Sequence, residues 1–204
     1  MKNCTVEDMV VVMNIVPCKS MNMSYSMINE TSVTVLSEGL KTNSTLTSLN
    51  LESSGIDEAC ARALGQALVF NTTLSELNLD SNRFGEAGAT ALGEGLKSNS
   101  ALKKLSVTCN WIKDKGTTGL SDGLKLNKSL TEINLSGNDI RDVGAKSLSE
   151  ALKINTTLTV LNLNENPFGE AGSTALIEAL KINTTLKELS VEEDHFGDTG
   201  AALL

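Results

Sequence analysis

Residues 74–101 read LSELNLDSNRFGEAGATALGEGLKSNSA, and the same 28-residue pattern recurs along most of the chain. Leu46, Leu74, Leu102, Leu130, Leu158 and Leu186 open LTSLNLESS, LSELNLDSN, LKKLSVTCN, LTEINLSGN, LTVLNLNEN and LKELSVEED, each 28 residues after the last. A fixed period of this length marks a stacked array, in which each unit buries its apolar face only against its neighbours. The expectation is a solenoid, and solenoids offer a long surface to a partner.

Within one repeat, Leu74, Leu77 and Leu79 alternate with polar Glu76, Asn78 and Asp80, the signature of a short strand with one buried face. Asn82 follows, repeated by Asn110, Asn138 and Asn166 and replaced by Ser54 and Asp194 at the two ends. Phe84, with Ile56, Ile112, Ile140, Phe168 and Phe196, is the expected core residue of the turn. A helix should come next. Glu58, Glu86, Asp114, Asp142, Glu170 and Asp198 stand near its positive end. Gly88, Gly116, Gly144, Gly172 and Gly200 share one position, with Cys60 as the exception, where a small residue allows close packing. Ala91, Leu92, Gly95 and Leu96 form the inner stripe, Lys97 suits the negative end, and Asn99 closes the helix. Asparagine tolerates the left-handed conformation that often ends helices.

Counting back 28 residues from Leu46 reaches Cys18. Met21 and Met23 then fall on strand positions, Ile28 on the turn, and Leu36 and Leu40 on the helix stripe. Residues 1–45 therefore read as an N-terminal segment holding a degraded, capping repeat, and residues 46–204 as the repeats proper. The last repeat stops after beginning a helix at Gly197–Leu204, which reads as a truncated end.

Bulk composition narrows the function. The net charge is −8 and no basic cluster exists, so no nucleic-acid partner is expected. No stretch approaches the ~20 apolar residues that span a bilayer, and Glu7 and Asp8 stand where a signal peptide wants positive charge. Cys4, Cys18, Cys60 and Cys109 show no paired spacing, which fits free thiols in a reducing cytoplasm. Nine N-x-S/T sequons occur, but Asn43, Asn71, Asn155 and Asn183 fall at the repeat position where a helix must stop, and they read as structural residues.

These motifs, written together as L-x-x-L-x-L-x-x-N-x-[IF]-x-[ED]-x-G-A-x-x-L-x-E-[AG]-L-K-x-N-x-[TS], resemble the ribonuclease-inhibitor-like class of leucine-rich repeats. The array is similar to the C-terminal repeats of NOD-like receptors and, more distantly, to Ran GTPase-activating proteins. The resemblance implies an α/β horseshoe with a parallel sheet on the concave face and helices on the convex face. It also implies a protein-binding module of the kind that senses ligands in innate immunity, with GTPase activation as the alternative. The chain has no G-x-x-x-x-G-K-[ST] loop, so a receptor parent would be represented by its sensing end alone.

No catalytic set stands out, and we expect no enzyme, no cofactor and no metal. The sole histidine, His195, sits at a variable loop position with no second histidine to share a metal. The strand alternation places three exposed columns on the concave face, and the outer two vary from repeat to repeat. Trp111, the only tryptophan, lies just past a strand, with Arg83 and Asp139 at the same position one repeat either side. Tryptophan and arginine are favoured binding anchors. Trp111, Arg83, Asp139, Glu76, Asp80, Lys104 and Glu132 are therefore the candidate partner-binding residues, and their acidic surroundings suit a protein partner with a basic patch. Trp111 packing over its neighbour's loop is the competing reading.

Overall fold

The computed structural model describes residues 17–191, in which seven three-residue strands alternate with six helices. In chain order they are β1 (Ser20–Asn22), α1 (Glu30–Thr42), β2 (Ser48–Asn50), α2 (Glu58–Phe70), β3 (Glu76–Asn78), α3 (Gly85–Ser98), β4 (Lys104–Ser106), α4 (Lys113–Leu126), β5 (Glu132–Asn134), α5 (Asp142–Leu152), β6 (Val160–Asn162), α6 (Glu170–Leu180) and β7 (Glu188–Ser190). The strands form one parallel sheet in the order β1 to β7. Each residue pairs with its repeat equivalent, as Leu49 with Leu77 and Leu77 with Leu105. β1 pairs with β2 in the same register, Met21 against Leu49, so the degraded first repeat is stacked like the rest. The result is the expected α/β solenoid, sheet on one face and helices on the other.

Its core is a set of rows. Leu49, Leu77, Leu105, Ile133 and Leu161 point inward from the strands, and Leu51, Leu79, Val107, Leu135 and Leu163 follow two residues on. Ile56, Phe84, Ile112, Ile140 and Phe168 fill the turns, all buried. Each such side chain contributes about 2 kcal/mol by leaving water. Met23, Ile28, Leu36 and Leu40 continue the rows into the first repeat. Ala91 is only half-buried; Ala89 and Gly93 lie deeper on that helix. Phe196, Asp194, His195 and the Gly197–Leu204 segment lie outside the described residues, as do Cys4, Glu192, Glu193, Asp198 and Gly200.

Two ladders of asparagine amides close the turns. At the strand-to-helix turn, Asn82 Nδ2 donates to the carbonyls of Leu51 and Leu79 at 2.9 and 2.8 Å. Its Oδ1 accepts from the amides of Ser54 and Ile56 at 3.0 and 2.9 Å. Asn138 and Asn166 repeat this set. Asn110 departs from it: its Nδ2 is bonded, but its buried Oδ1 has no donor. The equivalent donors would be the amides of Asn82 and Phe84, and neither bonds it.

The second ladder corrects the expected role of the helix-ending asparagines. Asn43, Asn71, Asn99 and Asn127 are not left-handed; their φ values of −68°, −74°, −72° and −64° are extended-region backbone. They are present because one amide does two jobs. Asn71 Oδ1 accepts from the amides of Thr73 and Leu74 at 3.0 and 2.7 Å, while Nδ2 donates to Leu40 of the preceding repeat at 2.7 Å. Asn99, Asn127, Asn155 and Asn183 repeat the arrangement. The nitrogen a glycan would occupy at Asn71, Asn127 or Asn155 is thus buried and bonded.

Helix starts are capped in two ways. Asp57 caps α2 itself, accepting from the Cys60 amide at 2.9 Å. α5 and α6 have no cap of their own, and the preceding repeat supplies one: Asp114 Oδ1 accepts from Arg141 and Gly144, and Asp142 Oδ1 from Gly169 and Gly172, all at 2.8 Å. Ahead of α3 and α4 that column holds Glu58 and Glu86, one methylene longer, and neither helix has a side-chain cap. Both helices begin one residue earlier in the repeat, at Gly85 and Lys113, whose φ values are +62° and +51°. Helices also touch closely here, since a Cβ on Gly95 would collide with the Gly65 carbonyl and one on Gly123 with the Gly93 carbonyl. Cys60, the exception in the small-residue column, is buried, and burial pushes its thiol up to about 11.

Two stability predictions follow from these bonds. Asn138→Ala should cost about 3 kcal/mol, because buried backbone donors and acceptors lose their partners at ~1 kcal/mol or more each. Asn110→Ala should cost clearly less, since its Oδ1 accepts nothing; equal urea midpoints would refute the ladder's account. Asp57→Ala should cost about 1 kcal/mol as a lost cap. The amide of Cys60 holds the Asp57 carboxyl below its ordinary value. That contribution is therefore present above the unfolded carboxylate range and lost as pH falls through the folded value, so wild type and variant should converge in acid.

Candidate functional site

The open face of the sheet is not a row of free polar groups. In the middle column, the Oδ1 atoms of Asn50, Asn78, Asn134 and Asn162 accept from the backbone two residues on, at 2.9, 2.8, 3.1 and 3.0 Å. Ser106 and, at β7, Ser190 replace the asparagine, and a serine is too short for that bond; at Ser106 the structure shows what takes its place. Asp80 reaches across from the neighbouring repeat instead: its Oδ1 accepts from Ser106 Oγ at 2.6 Å and from the Thr108 amide at 2.7 Å. One carboxylate oxygen of Asp80 is thereby committed to the scaffold.

The first column carries the accessible charge. Glu76 and Lys104 are exposed and Glu132 half-buried, and with Ser48, Asn78, Ser106 and Asn134 they line a shallow depression of about 350 Å³ on the sheet. Lys104 Nζ lies 2.9 Å from Glu132 Oε2. The hydrogen bond that Lys104 donates to Glu132, with the charge of that carboxylate, holds the Lys104 ammonium above its ordinary value. The pair is solvent-exposed and contributes little to stability. It leaves Glu76 as the uncompensated carboxylate of this depression, and Glu188 extends the column at β7.

Arg83 and Trp111 lie elsewhere. They line a depression of about 450 Å³ at the loop edge, with Glu58, Phe84, Gly85, Glu86, Ala87, Lys113 and Lys115, and it shares no residue with the sheet depression. The Arg83 guanidinium carbon sits 5.1 Å from the centre of the Trp111 ring, a cation–π stack. Trp111 is 56% exposed and holds φ +59°. It packs on its neighbour's arginine while keeping half its surface in water. Asp139, one repeat on, is 3.3 Å from Arg141 and is not among the residues lining either depression.

Lys113 and Lys115 were not singled out by sequence. A signal existed: Lys115 is the only charged residue in a column that otherwise reads Thr31, Ala59, Ala87, Val143, Ala171 and Thr199. Among the described residues no group of three or more His, Cys, Asp or Glu could hold a metal ion. No described helix is long and apolar enough to cross a membrane. Cys18, Cys60 and Cys109 are free thiols.

Comparison with known proteins agrees with this geometry. The family described as Leucine Rich repeat matches residues 42–65, 70–93, 98–121, 126–149 and 155–176. Among curated proteins, none matches the chain. The tropomodulin C-terminal domain of Caenorhabditis elegans superposes with a TM-score of 0.55 at 14% identity, over 87% of this chain and 92% of that one. The leiomodin-1 actin-binding site 2 aligns over 98% of this chain and 88% of that one at 21% identity, with a TM-score of 0.39, too loose to add to the fold. The likeness to tropomodulin is one of fold alone.

Trp111 reports on its own environment. Acrylamide should quench its emission readily, and Arg83→Ala should raise that quenching further by removing the stacked guanidinium. A shielded indole in the free protein would contradict the exposure described above.

Proposed function

Because the chain belongs to the leucine-rich repeat family, a type of fold that commonly serves as a protein-interaction module, we propose that it works by docking a protein partner on the concave face of its sheet. The carrying observation is the charge pattern there. Glu76 and Glu132, with Lys104 paired to Glu132 between them, line a preformed depression whose asparagines Asn50, Asn78 and Asn134 are held by backbone amides at Oδ1. A partner offering a basic patch gains attraction from Glu76 directly and from Glu132 in competition with Lys104, and it disturbs none of the backbone-bonded amides beneath. Asp80 shapes this surface and contributes its second oxygen; Arg83, Trp111 and Asp139 stand apart from the depression, at the loop edge, and would meet only a partner broad enough to reach past the sheet.

On this reading the chain performs no chemistry and needs no cofactor. It acts in the cytoplasm, where its free thiols stay reduced. Residues 1–45 carry the cap of an array that runs through 46–204. The array is the ligand-sensing or regulatory end of a NOD-like-receptor-type protein. GTPase activation of the kind Ran GTPase-activating proteins perform is the alternative, and faster GTP hydrolysis by a small GTPase on addition of the chain would establish it.

The test is affinity capture from cell extract by the wild type and by Glu76→Lys, Glu132→Lys, both shown to be folded by circular dichroism. The wild type should retain a protein that elutes with salt. The double variant should bind it about tenfold or more weakly, as two lost charge contacts of ~1 kcal/mol each would dictate. Equal retention at all salt concentrations would remove the concave face from consideration.

A further inference from the structure

The loop-edge depression does not end at Trp111. A groove of about 600 Å³ between α2 and α3, floored by Gly65, Ala87, Ala91 and Gly95 and walled by Gln66 and Val69, is lined by Ala87 and Lys115 as well. Those two residues also line the Trp111 depression, so the two adjoin and together form a channel-like path from the loop edge to the helices. Its floor is small and apolar because the helices approach at Gly65 and Gly95, where no Cβ fits. Its mouth is a stacked aromatic.

Charge sets this channel apart from the rest of the molecule. The chain carries −8 overall. Around the channel, Glu58 is paired with Arg62 at 2.9 Å and Glu94 with Lys97 at 2.6 Å. Arg83, Lys113 and Lys115 have no ion-pair partner among the described residues, against one such carboxylate, Glu86. The lysines are exposed, and nothing in the fold requires Lys115, whose column is otherwise uncharged: alanine, valine and threonine. A locally cationic rim, a half-exposed indole and an apolar floor together match a ligand that is anionic and carries an apolar side chain.

We propose that this channel binds a linear acidic segment of a partner protein. An aliphatic or aromatic side chain of the segment rests against the Arg83–Trp111 stack, its carboxylates meet Lys113 and Lys115, and its backbone continues over Gly65 and Gly95. Linear segments bind in this manner where a groove supplies an apolar anchor site and fixed charges. The surface is distinct in place and opposite in sign from the concave depression, so it stands or falls apart from the concave-face reading.

The probe is a phage-displayed library of random 12-residue peptides lacking tryptophan, selected on the whole chain. Enriched peptides should be rich in Asp and Glu with at least one large apolar residue, and synthetic copies should shift or quench Trp111 emission on titration. Lys113→Glu, Lys115→Glu should weaken them at least tenfold, while Lys128→Glu, an exposed lysine outside both depressions, should leave affinity unchanged; circular dichroism of all variants guards against misfolding. Enrichment of basic peptides, absence of enrichment, or acidic peptides that neither perturb Trp111 nor respond to the lysine reversals would each overturn the proposal. Peptides lost on Glu76→Lys, Glu132→Lys but not on the lysine reversals would place binding on the concave face and also overturn it.

Discussion

The hydrogen bond between an asparagine amide and the backbone of the adjacent repeat is the constraint on which everything else rests. A solenoid turn exposes carbonyls and amides that a three-residue strand cannot pair within its own repeat. Leaving such groups buried and unbonded costs about 1–3 kcal/mol apiece. Asn82, Asn138 and Asn166 answer at one end of the strand, Asn71, Asn99, Asn127, Asn155 and Asn183 at the other. Because each amide donates into the preceding repeat, no repeat is complete alone. Leucine packing supplies the bulk of the energy, but the amides fix the register, 28 residues per step, and so fix where every surface side chain stands.

Much of this was legible from one line of sequence. The period, the alternation Leu74-x-x-Leu77-x-Leu79 and the recurring Asn82 position led directly to strand, turn and helix, because each is a local pattern repeated without slippage. Less legible was what crosses between repeats. Nothing in the sequence of one repeat says that Asp114 and Asp142 cap the following helix while Glu58 and Glu86 do not; the difference is one methylene and a gap that must be measured. The helix-ending asparagines show the same limit. Their position was read correctly, but their conformation was not, since a residue that favours left-handed backbone also forms a side-chain turn in extended backbone.

The candidate site illustrates how a column reading can merge separate places. Trp111 and Glu76 are close in the repeat and were grouped as one patch. Between them the chain turns from sheet to helix, and they border different depressions. Asp80 looked like a free carboxylate because exposure was inferred from strand alternation. In the folded chain it compensates for Ser106, where the middle column lacks its asparagine. Conversely, Lys115 is unremarkable as a residue type and informative only against the uncharged residues above and below it.

The glycines between α2, α3 and α4 bear on the shape of the whole arc. Strands in a sheet are ~4.8 Å apart and packed helices ~8–10 Å, and that mismatch is what bends such an array. Where Gly65, Gly95, Gly93 and Gly123 let helices close in until backbone meets backbone, the outer layer shortens toward the inner one. Close approach of the helices therefore works against bending at the middle of the array, behind the strands that carry Glu76, Lys104 and Glu132.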